Sequence, residues 1–287
     1  MHTKVINNIQ TQLFELTKKK YSKKYINTNI FPIIEYIVYS NKTKFLISGS
    51  QGIGKSTLIK ILKTSIEKYF DKKIIALSLD DYYLSKNDRL KLSKKIHPLF
   101  KTRGVPGTHD IKKLKKNLDD FQKSNYPIYT PIFDKLIDDR SNKIRKEIIK
   151  KDILILEGWC CACPPLDKKF LKKNINDLEK SKDKDRIWRN YINKNLIYEY
   201  KKIFKIFDKI IFLKAPSFDF VLSWRLKQER MNNSKSINNK KMNKKEILQF
   251  ILHYEKLTRW MIRELPKFSN LVIHIDKNQK IIKRVIN

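Results

Sequence analysis

A glycine-rich segment near the start of the chain reads Gly49-Ser50-Gln51-Gly52-Ile53-Gly54-Lys55-Ser56-Thr57. It follows the apolar run Phe45–Ile47 and precedes the apolar residues Leu58–Leu62, so it lies between a predicted strand and a predicted helix. In that setting, glycines allow close backbone approach, and the backbone N–H groups at a helix N-terminus attract phosphate oxygens. The segment therefore predicts a nucleoside-triphosphate site, in which Lys55 would reach the β- and γ-phosphates and Ser56 would hold Mg²⁺.

Short apolar runs and longer helical patterns alternate along the rest of the chain. The runs lie at Phe45–Ile47, Ile74–Leu79, Ile153–Leu156, Ile210–Leu213 and Leu271–Ile275. The helical patterns cover Lys55–Phe70, Leu196–Phe207, Phe218–Met231 and Lys244–Leu265. This alternation predicts an α/β fold of the P-loop NTPase type, with a doubly wound, parallel, five-stranded sheet, a helical lid and insertions. Ligands of such sheets bind at the carboxyl ends of the strands.

Two kinds of segment lie outside this pattern. The N-terminal stretch to Ser40 has the character of one or two amphipathic helices packed ahead of the sheet, and no chemistry can be assigned to it. The stretch from Asp167 to Asp185 is nearly all Lys, Asn and Asp, which predicts a mobile insertion. Asn232–Asn243 has the same composition, and we expect it to be a flexible part of the lid.

The chain is strongly basic, with 64 Lys and Arg against 29 Asp and Glu and a formal net charge of +35. Such a charge could neutralise nucleic-acid phosphates. The excess is mostly lysine spread over the whole chain, however, and no nucleic-acid-binding module with its expected spacing is present. We therefore expect a solvated, lysine-rich surface that attracts anionic substrates, and nucleic-acid binding stays as the alternative.

The three cysteines, Cys160, Cys161 and Cys163, stand too close together for a disulfide framework. A reduced chain follows, and we expect core packing for this cluster. There is no signal-peptide core at the N-terminus and no apolar run long enough to cross a membrane. The sequence thus predicts a cytoplasmic protein without membrane association, and it sets no expectation for the oligomeric state.

Acidic residues follow two of the predicted strands. Asp80 and Asp81 come after the second, and either could accept the proton of a substrate hydroxyl. Either could also cap the next helix or turn. Glu157 emerges from four aliphatic residues of the third, and a carboxylate buried there needs a partner such as Mg²⁺.

The loops between these strands hold further candidate substrate contacts. Arg103 can grip a carboxylate or phosphate with two hydrogen bonds, whereas His109, a few residues on, is as well explained by a structural role. A second candidate segment contains Asp134 and Lys135. Arg225, near the start of the asparagine-rich stretch, could lay positive charge on a transferring phosphoryl group or simply be solvated.

Together, these segments resemble the plant-type D-glycerate 3-kinases and their bacterial and fungal relatives, in the phosphoribulokinase/uridine kinase group of P-loop kinases. The resemblance covers roughly residues 44–276. The pieces that carry it are Gly49–Thr57, Ser78–Leu84, Arg103–Asp110, Leu156–Trp159, Asn193–Leu196 and Trp224–Leu226. The elements around Arg103–Asp110 and Glu157–Trp159 are more selective than the phosphate loop, which many ATPases share.

The resemblance implies transfer of the ATP γ-phosphate to a hydroxyl of a small acceptor, with D-glycerate giving 3-phosphoglycerate as the leading case. We expect an N-terminal helical extension over 1–40 and a P-loop kinase domain over 41–287, with a lid at about 218–245. Asp80 looks like the proton-accepting aspartate and Glu157 like the acid that organises Mg²⁺. Acceptor contacts would come from Asp81, Tyr83, Arg103, His109, Asp134 and Lys135.

The segment after Asp134-Lys135 departs from the family's glycine- and arginine-containing pattern, which leaves the acceptor open. Uridine, pantothenate and a sugar phosphate are the alternatives among small acceptors. A nucleotide-dependent nucleic-acid-binding protein is the alternative from a different functional class.

Overall fold

The structure, a computed structural model, describes residues 1–233 and 244–287 and is built around a largely parallel sheet. Within these residues the sheet has six strands in the order β2-β5-β1-β6-β7-β8, and β3 and β4 form a separate antiparallel ribbon. The strands are β1 (Lys44–Gly49), β2 (Ile74–Ser78), β3 (Ile128–Asp134), β4 (Asp139–Glu147), β5 (Ile153–Gly158), β6 (Lys209–Lys214), β7 (Leu271–Ile275) and β8 (Ile281–Ile286).

Helices connect and cover these strands. They are α1 (His2–Thr17), α2 (Lys23–Asn29), α3 (Phe31–Val38), α4 (Lys55–Tyr69), α5 (Lys86–Lys95), α6 (Ile111–Gln122), α7 (Lys168–Lys172), α8 (Asp177–Lys182), α9 (Ile187–Asn195), α10 (Lys201–Phe204), α11 (Phe218–Asn233) and α12 (Lys244–Glu264). Short 3₁₀ segments lie at Leu79–Tyr82, Pro98–Lys101 and Leu265–Lys267, and a π-helical turn at Leu196–Tyr200 precedes α10.

The predicted α/β fold is confirmed, and all five predicted strands are parallel strands of the sheet. The sequence did not reveal β8, which runs antiparallel to β7, or the β3–β4 ribbon. Both escape a search for apolar runs because β8 has Lys283 and Arg284 at its centre and β4 is mostly polar and exposed.

The sheet separates two apolar cores, as expected when parallel strands are covered on both faces. Side chains alternate between the faces along β1: Phe45 and Ile47 pack with α1–α4 and α11, while Leu46 packs on the opposite face with α6, α9 and α12. The N-terminal helices α1–α3 thus share a core with α4, the helix that follows the phosphate loop. The domain division at residue 40 stays a prediction.

The expectation of a mobile insertion at Asp167–Asp185 is wrong, because this segment forms α7 and α8. Two of its acids are buried and paired: the Arg189 guanidinium bonds Asp183 at 2.7 Å, and the Lys256 ammonium lies 3.1 Å from Glu179. Glu179, Asp183 and Arg189 are at most 1% exposed, so removing one charge would leave its partners buried and uncompensated. The polar composition of this segment predicted that its side chains would be exposed to solvent. In the structure, cations from α9 and α12 pair with Asp183 and Glu179 and allow these two acids to be buried.

The predicted flexible part of the lid at Asn232–Asn243 lies, for residues 234–243, outside the described residues. Among the helices of 1–233 and 244–287, none has the length and apolar character needed to span a membrane. The cytoplasmic location stays a prediction.

Candidate active site

The glycine-rich segment forms a loop between the end of β1 and the start of α4. Gly52 and Gly54 have φ of +75° and +105°, a region that side chains with a Cβ rarely adopt, and a Cβ on Gly52 would lie 2.8 Å from Cβ of Trp224. Lys55 Nζ donates hydrogen bonds to the carbonyl oxygens of Gly49 and Ser50, at 2.8 and 3.1 Å. The Lys55 ammonium is therefore held against the backbone of its own loop.

The loop has the donors that a phosphate group would need. Gln51 Nε2 is buried and has no hydrogen-bond partner among the described residues. A Cβ built on Gly54 would meet no atom within 4 Å, so the loop faces open space there. Buried polar groups without a partner are costly, and phosphate oxygens at this helix N-terminus would satisfy them. The loop therefore fits the phosphates of a nucleoside triphosphate.

A cavity of about 420 Å³ joins this loop to most of the other predicted site residues. Such a volume is typical of small-ligand sites. It is lined by residues 51–57 together with Asp80, Tyr83, Arg103, Lys135, Glu157 and Arg225. Asp81, His109 and Asp134 are not among its lining residues. The structure thus brings together predicted site residues that are up to 174 positions apart, from Gln51 to Arg225.

Asp80 lies in this cavity, at the start of the 3₁₀ turn that follows β2. One carboxylate oxygen accepts a hydrogen bond from Tyr83 Oη at 2.6 Å, and the other accepts one from Lys135 Nζ at 2.6 Å. Burial raises the pKa of Asp80, but the Lys135 charge and these hydrogen bonds outweigh it and leave the pKa below its ordinary value. Asp80 is therefore ionised and able to accept a hydrogen bond from a substrate hydroxyl.

Glu157, at the end of β5, is the second acid of the cavity. β5 pairs with both β1 and β2, which places Glu157 opposite Ile47 on one side and Ser78 on the other. Ser78 Oγ donates to one of its oxygens at 2.7 Å. Burial raises the pKa of Glu157, while the nearby Lys55 charge opposes that shift. Among the described residues, no group of three or more His, Cys, Asp or Glu could hold a metal ion.

Arg103 and the tip of the ribbon form the far wall of the cavity. The guanidinium lies over the rings of Phe133 and Phe250, with 5.4 and 5.9 Å to the centroids, and pairs with the Asp138 carboxylate. Arg89 bonds the same carboxylate at 3.0 Å. Arg103 and Arg89 therefore both pair with the Asp138 carboxylate, and Arg103 is the one of these three residues that lines the cavity.

In this structure, Asp81 and Asp134 bond to residues of the β3–β4 ribbon and its connecting turn. The Asp81 carboxylate pairs with Arg145 of β4 at 2.9 Å and accepts a 3.3 Å hydrogen bond from the Phe133 backbone, while Asp134 accepts one from the Leu136 backbone at 2.8 Å. Burial raises the pKa of Asp81, against the opposing Arg145 charge. The roles in acceptor binding proposed for these two residues stay predictions, and Asp80 is the aspartate that reaches the cavity.

His109 is buried behind Tyr83 rather than at the cavity surface. Its ring lies 4.8 Å from the ring of Tyr83, its Nδ1 lies 2.5 Å from Tyr200 Oη, and its Nε2 has no partner among the described residues. Burial lowers the pKa of His109 to about 4. The imidazole is therefore neutral near neutral pH and supports Tyr83, which in turn bonds Asp80.

His109 gives a prediction about stability and pH. Its pKa is lower in the folded state than the ordinary value near 6.5, so between about pH 6.5 and pH 4 the unfolded chain binds the extra proton. Stability is lost as pH falls through this window. We expect the unfolding free energy of the wild type to fall more steeply than that of His109→Asn between pH 7 and pH 5, by up to about 1.4 kcal/mol per pH unit.

Denaturant titrations at both pH values measure this difference. His2→Asn, which changes an exposed histidine, serves as the control and should follow the wild type. Equal slopes for the wild type and His109→Asn would show that His109 is not held neutral.

Several lining residues were not singled out by sequence reasoning. Arg225 of α11 was predicted, and its guanidinium lies 5.6 Å from the Phe250 ring centroid. Phe250 and Tyr254 of α12 were missed; Tyr254 Oη donates to the Arg103 carbonyl at 2.6 Å. No motif marks these aromatic residues, because they occupy ordinary core positions in a helix. Their place at the cavity follows only from the packing of α12 across the loop of Arg103.

Comparisons with known proteins agree with this architecture, although no protein-family model matches the chain. It is 32% identical over 224 residues to the Schizosaccharomyces pombe protein "Uncharacterized kinase mug58", covering 72% of this chain and 76% of that protein. It is 30% identical over 277 residues to the Saccharomyces cerevisiae "Probable ATP-dependent kinase TDA10", covering 87% and 90%.

Two D-glycerate 3-kinases are also similar. The solved enzyme from Cryptococcus neoformans shares the fold, with a TM-score of 0.71, 23% identity, and coverage of 100% of this chain and 99% of that one. The chloroplastic enzyme of Arabidopsis thaliana is 28% identical over 193 residues, 63% of this chain and 40% of the plant protein. The chain belongs to the family of P-loop kinases that contains the two yeast relatives and the plant-type D-glycerate 3-kinases.

Proposed function

We propose that this protein is an ATP-dependent kinase that transfers the γ-phosphoryl group to a hydroxyl of a small carboxylated acceptor, with D-glycerate giving 3-phosphoglycerate. The observation that carries the proposal is the single cavity in which the phosphate loop, Asp80 and the cations Arg103, Lys135 and Arg225 meet. A phosphate cradle beside an ionised aspartate supports phosphoryl transfer, and the surrounding cations favour an anionic acceptor.

Residues at the loop would hold the nucleotide. Residues Gly49–Thr57 would bind the phosphates through backbone N–H groups, with the Lys55 ammonium turning from the loop carbonyls to phosphate oxygens. Mg²⁺ would be held by Ser56 and Glu157, and it would supply charge neutralisation between the phosphates. Because Mg²⁺ in such sites keeps waters and phosphate oxygens as ligands, one protein carboxylate is enough.

Asp80 would accept the proton of the acceptor hydroxyl while that oxygen forms its bond to the γ-phosphorus and ADP leaves. Both oxygens of Asp80 already accept hydrogen bonds, from Tyr83 and Lys135. The exposed Lys135 is the mobile donor of the two, since Tyr83 is buried. Acceptor binding would therefore move the Lys135 ammonium off Asp80 and onto the acceptor, which also restores the basicity of the aspartate.

The acceptor's carboxylate would meet Arg103. In this structure the Arg103 guanidinium is paired with Asp138 at the ribbon tip and packed on two aromatic rings, an arrangement suited to holding a planar carboxylate. An acceptor carboxylate at the same place would compete with Asp138 for this arginine. Glycerate and pantothenate carry such a group, whereas uridine does not, and the two D-glycerate 3-kinases among the similar proteins favour glycerate.

The test is ADP formation by purified protein with Mg-ATP and a panel of D-glycerate, L-glycerate, uridine, pantothenate and ribulose 5-phosphate. We expect turnover with D-glycerate above that with every other acceptor. Lys55→Met, prepared in the same way, reveals any contaminating kinase. Preferred turnover of another acceptor would identify that compound as the substrate in place of glycerate. ATP binding without turnover of any acceptor would overturn the assignment as a small-molecule kinase. It would favour the nucleic-acid-binding alternative, which predicts that the protein retains nucleic acid in a salt-sensitive manner.

A further inference from the structure

The turn at the tip of the β3–β4 ribbon, residues 135–138, places two opposite charges on the acceptor end of the cavity. At the first residue of the turn, the Lys135 ammonium donates to the Asp80 carboxylate at 2.6 Å. At the last, the Asp138 carboxylate pairs with the Arg103 guanidinium. Asp80 and Arg103 are the two groups that the proposed reaction assigns to the hydroxyl and the carboxylate of the acceptor. The turn therefore occupies both partners of the acceptor with groups of its own.

The turn is anchored through Asp138 rather than through its apolar residues. Its two middle residues, Leu136 and Ile137, are exposed. Behind the turn, the guanidinium of Arg89, which is 1% exposed, donates to the Asp138 carbonyl at 2.5 Å and to a carboxylate oxygen of Asp138 at 3.0 Å. It also donates to the Lys101 carbonyl at 2.9 Å. Asp138 thus has two cationic partners, one on each carboxylate oxygen.

This arrangement lets Asp138 release one arginine and keep the other. Its Oδ2 lies on the buried Arg89, and its Oδ1 lies on Arg103, whose side chain is 15% exposed and lines the cavity. Arg103 without an anion would be costly at such a place, because a largely buried charge needs a partner. When an acceptor carboxylate replaces Asp138, Arg103 stays paired with the acceptor and Asp138 stays paired with Arg89. The exchange therefore leaves no charge uncompensated.

The same exchange discriminates between acceptors by charge. An acceptor with a carboxylate can take the place of Asp138 on Arg103. A neutral acceptor has no group that can replace Asp138, so the internal ion pair stays closed. Selectivity is a difference between two binding free energies, and an internal competitor lowers the affinity for every acceptor that must displace it. Asp138 would thus exclude neutral acceptors while also weakening the binding of charged ones.

We propose that Asp138 is a specificity-determining residue of the acceptor site, an internal carboxylate that pairs with Arg103 until an acceptor carboxylate replaces it. The buried Arg89 is the positioning residue that keeps Asp138 beside the site after the exchange. This inference rests on the proposed transfer to a carboxylated acceptor, and it adds the residue that selects the charge of that acceptor. Asp138 is not among the residues that line the cavity, so it acts through Arg103.

Calorimetric titration of the full chain with D-glycerate in the presence of Mg-ADP tests this role without requiring turnover. Asp138→Asn should bind D-glycerate roughly tenfold more tightly than the wild type, because the competing charge is gone. Asparagine tolerates the left-handed backbone at this position, where φ is +55°, and its amide oxygen can still accept a hydrogen bond from Arg89. Replacement of a residue with a merely structural role would not tighten binding.

The methyl ester of D-glycerate separates charge from shape. It carries the same hydroxyl groups without the negative charge, so it cannot replace Asp138 on Arg103. We expect this ester to bind no more tightly to Asp138→Asn than to the wild type. The gain in affinity should therefore be specific to the charged acceptor.

Asp139→Asn is the matched control. Asp139 is the next residue along the ribbon and carries the same charge, but its carboxylate accepts a hydrogen bond from the Lys86 backbone at 2.8 Å instead of pairing with Arg103. This variant should bind D-glycerate like the wild type, which separates the loss of the partner of Arg103 from a general change in charge. Thermal melting should show that both variants are folded.

Unchanged or weaker binding of D-glycerate by Asp138→Asn, or equal tightening in Asp139→Asn, would overturn the role of Asp138 and leave the proposed reaction standing. A gain for the methyl ester as large as that for D-glycerate would do the same. Tighter binding by Asp138→Asn, in a protein that transfers no phosphoryl group to D-glycerate, would overturn the proposed reaction and support the role of Asp138. Absence of D-glycerate binding in the wild type and both variants would overturn the two proposals together.

Discussion

Replacement of Lys55 by methionine should reduce ADP formation roughly 10³-fold, close to the limit of detection. Methionine keeps much of the length of the side chain but removes the ammonium that now bonds the carbonyls of Gly49 and Ser50 and that would stabilise the transferring phosphoryl group. Loss of one such charge or donor from a preorganised site typically costs about 10²–10³ in turnover. The measurement is acceptor-dependent ADP release under saturating Mg-ATP.

Lys60→Met on the same helix provides the control, because Lys60 is exposed on α4 and lies outside the cavity lining. It should retain wild-type turnover. Wild-type-like activity in Lys55→Met would refute the assignment of the loop as the site of phosphate binding and transfer.

Asp80→Asn should lower kcat by roughly 10²–10⁴-fold, the contribution of a positioned general base, while ATP affinity changes little. Asparagine keeps an oxygen that can accept the Tyr83 hydrogen bond but has no charge to pair with Lys135 and no capacity to take a proton. Although burial raises the pKa of Asp80, the Lys135 charge keeps it low in the free enzyme, so Asp80 should produce no acidic limb near neutral pH in the wild-type profile of kcat/KM.

The neighbouring aspartate offers a matched comparison. Asp81 pairs with Arg145 and holds the ribbon, so Asp81→Asn should cost far less in kcat and more in stability. Equal losses of turnover and ATP affinity in Asp80→Asn would make Asp80 a ligand or a structural support rather than the base. A larger kcat loss in Asp81→Asn would move the base to that residue.

The sequence predicted those parts of the site that depend on residues close together in the chain. The phosphate loop was predicted completely, because its conformation depends on glycines within a few residues and on the helix that starts at Lys55. Asp80 and Glu157 were found because the carboxyl ends of parallel strands meet at one edge of the sheet. The difference between Asp80 and its neighbour Asp81 was not predictable, since adjacent side chains on a short 3₁₀ turn point to different surroundings.

Other features depended on contacts between distant parts of the chain. Three contacts of this kind join different elements. The Asp138 carboxylate pairs with Arg103, the His109 ring packs on Tyr83, and Tyr254 bonds the Arg103 carbonyl. The segment from Asp167 to Asp185 illustrates the same limit. Its polar composition predicts exposure, and only partners on α9 and α12 make burial of Glu179 and Asp183 favourable.

The sequence by itself determined the class of fold, the five parallel strands and the phosphate loop, because apolar periodicity and glycine conformation act over short stretches of chain. The tertiary structure decided which residues face the cavity, which cations surround Asp80, and that residues of the N-terminal helices line part of the same cavity. The physical reason is that burial and charge pairing are properties of neighbours in space. Gln279 and Gly52, 227 positions apart, are bonded only because β7 and β8 lie beside the loop in the folded sheet.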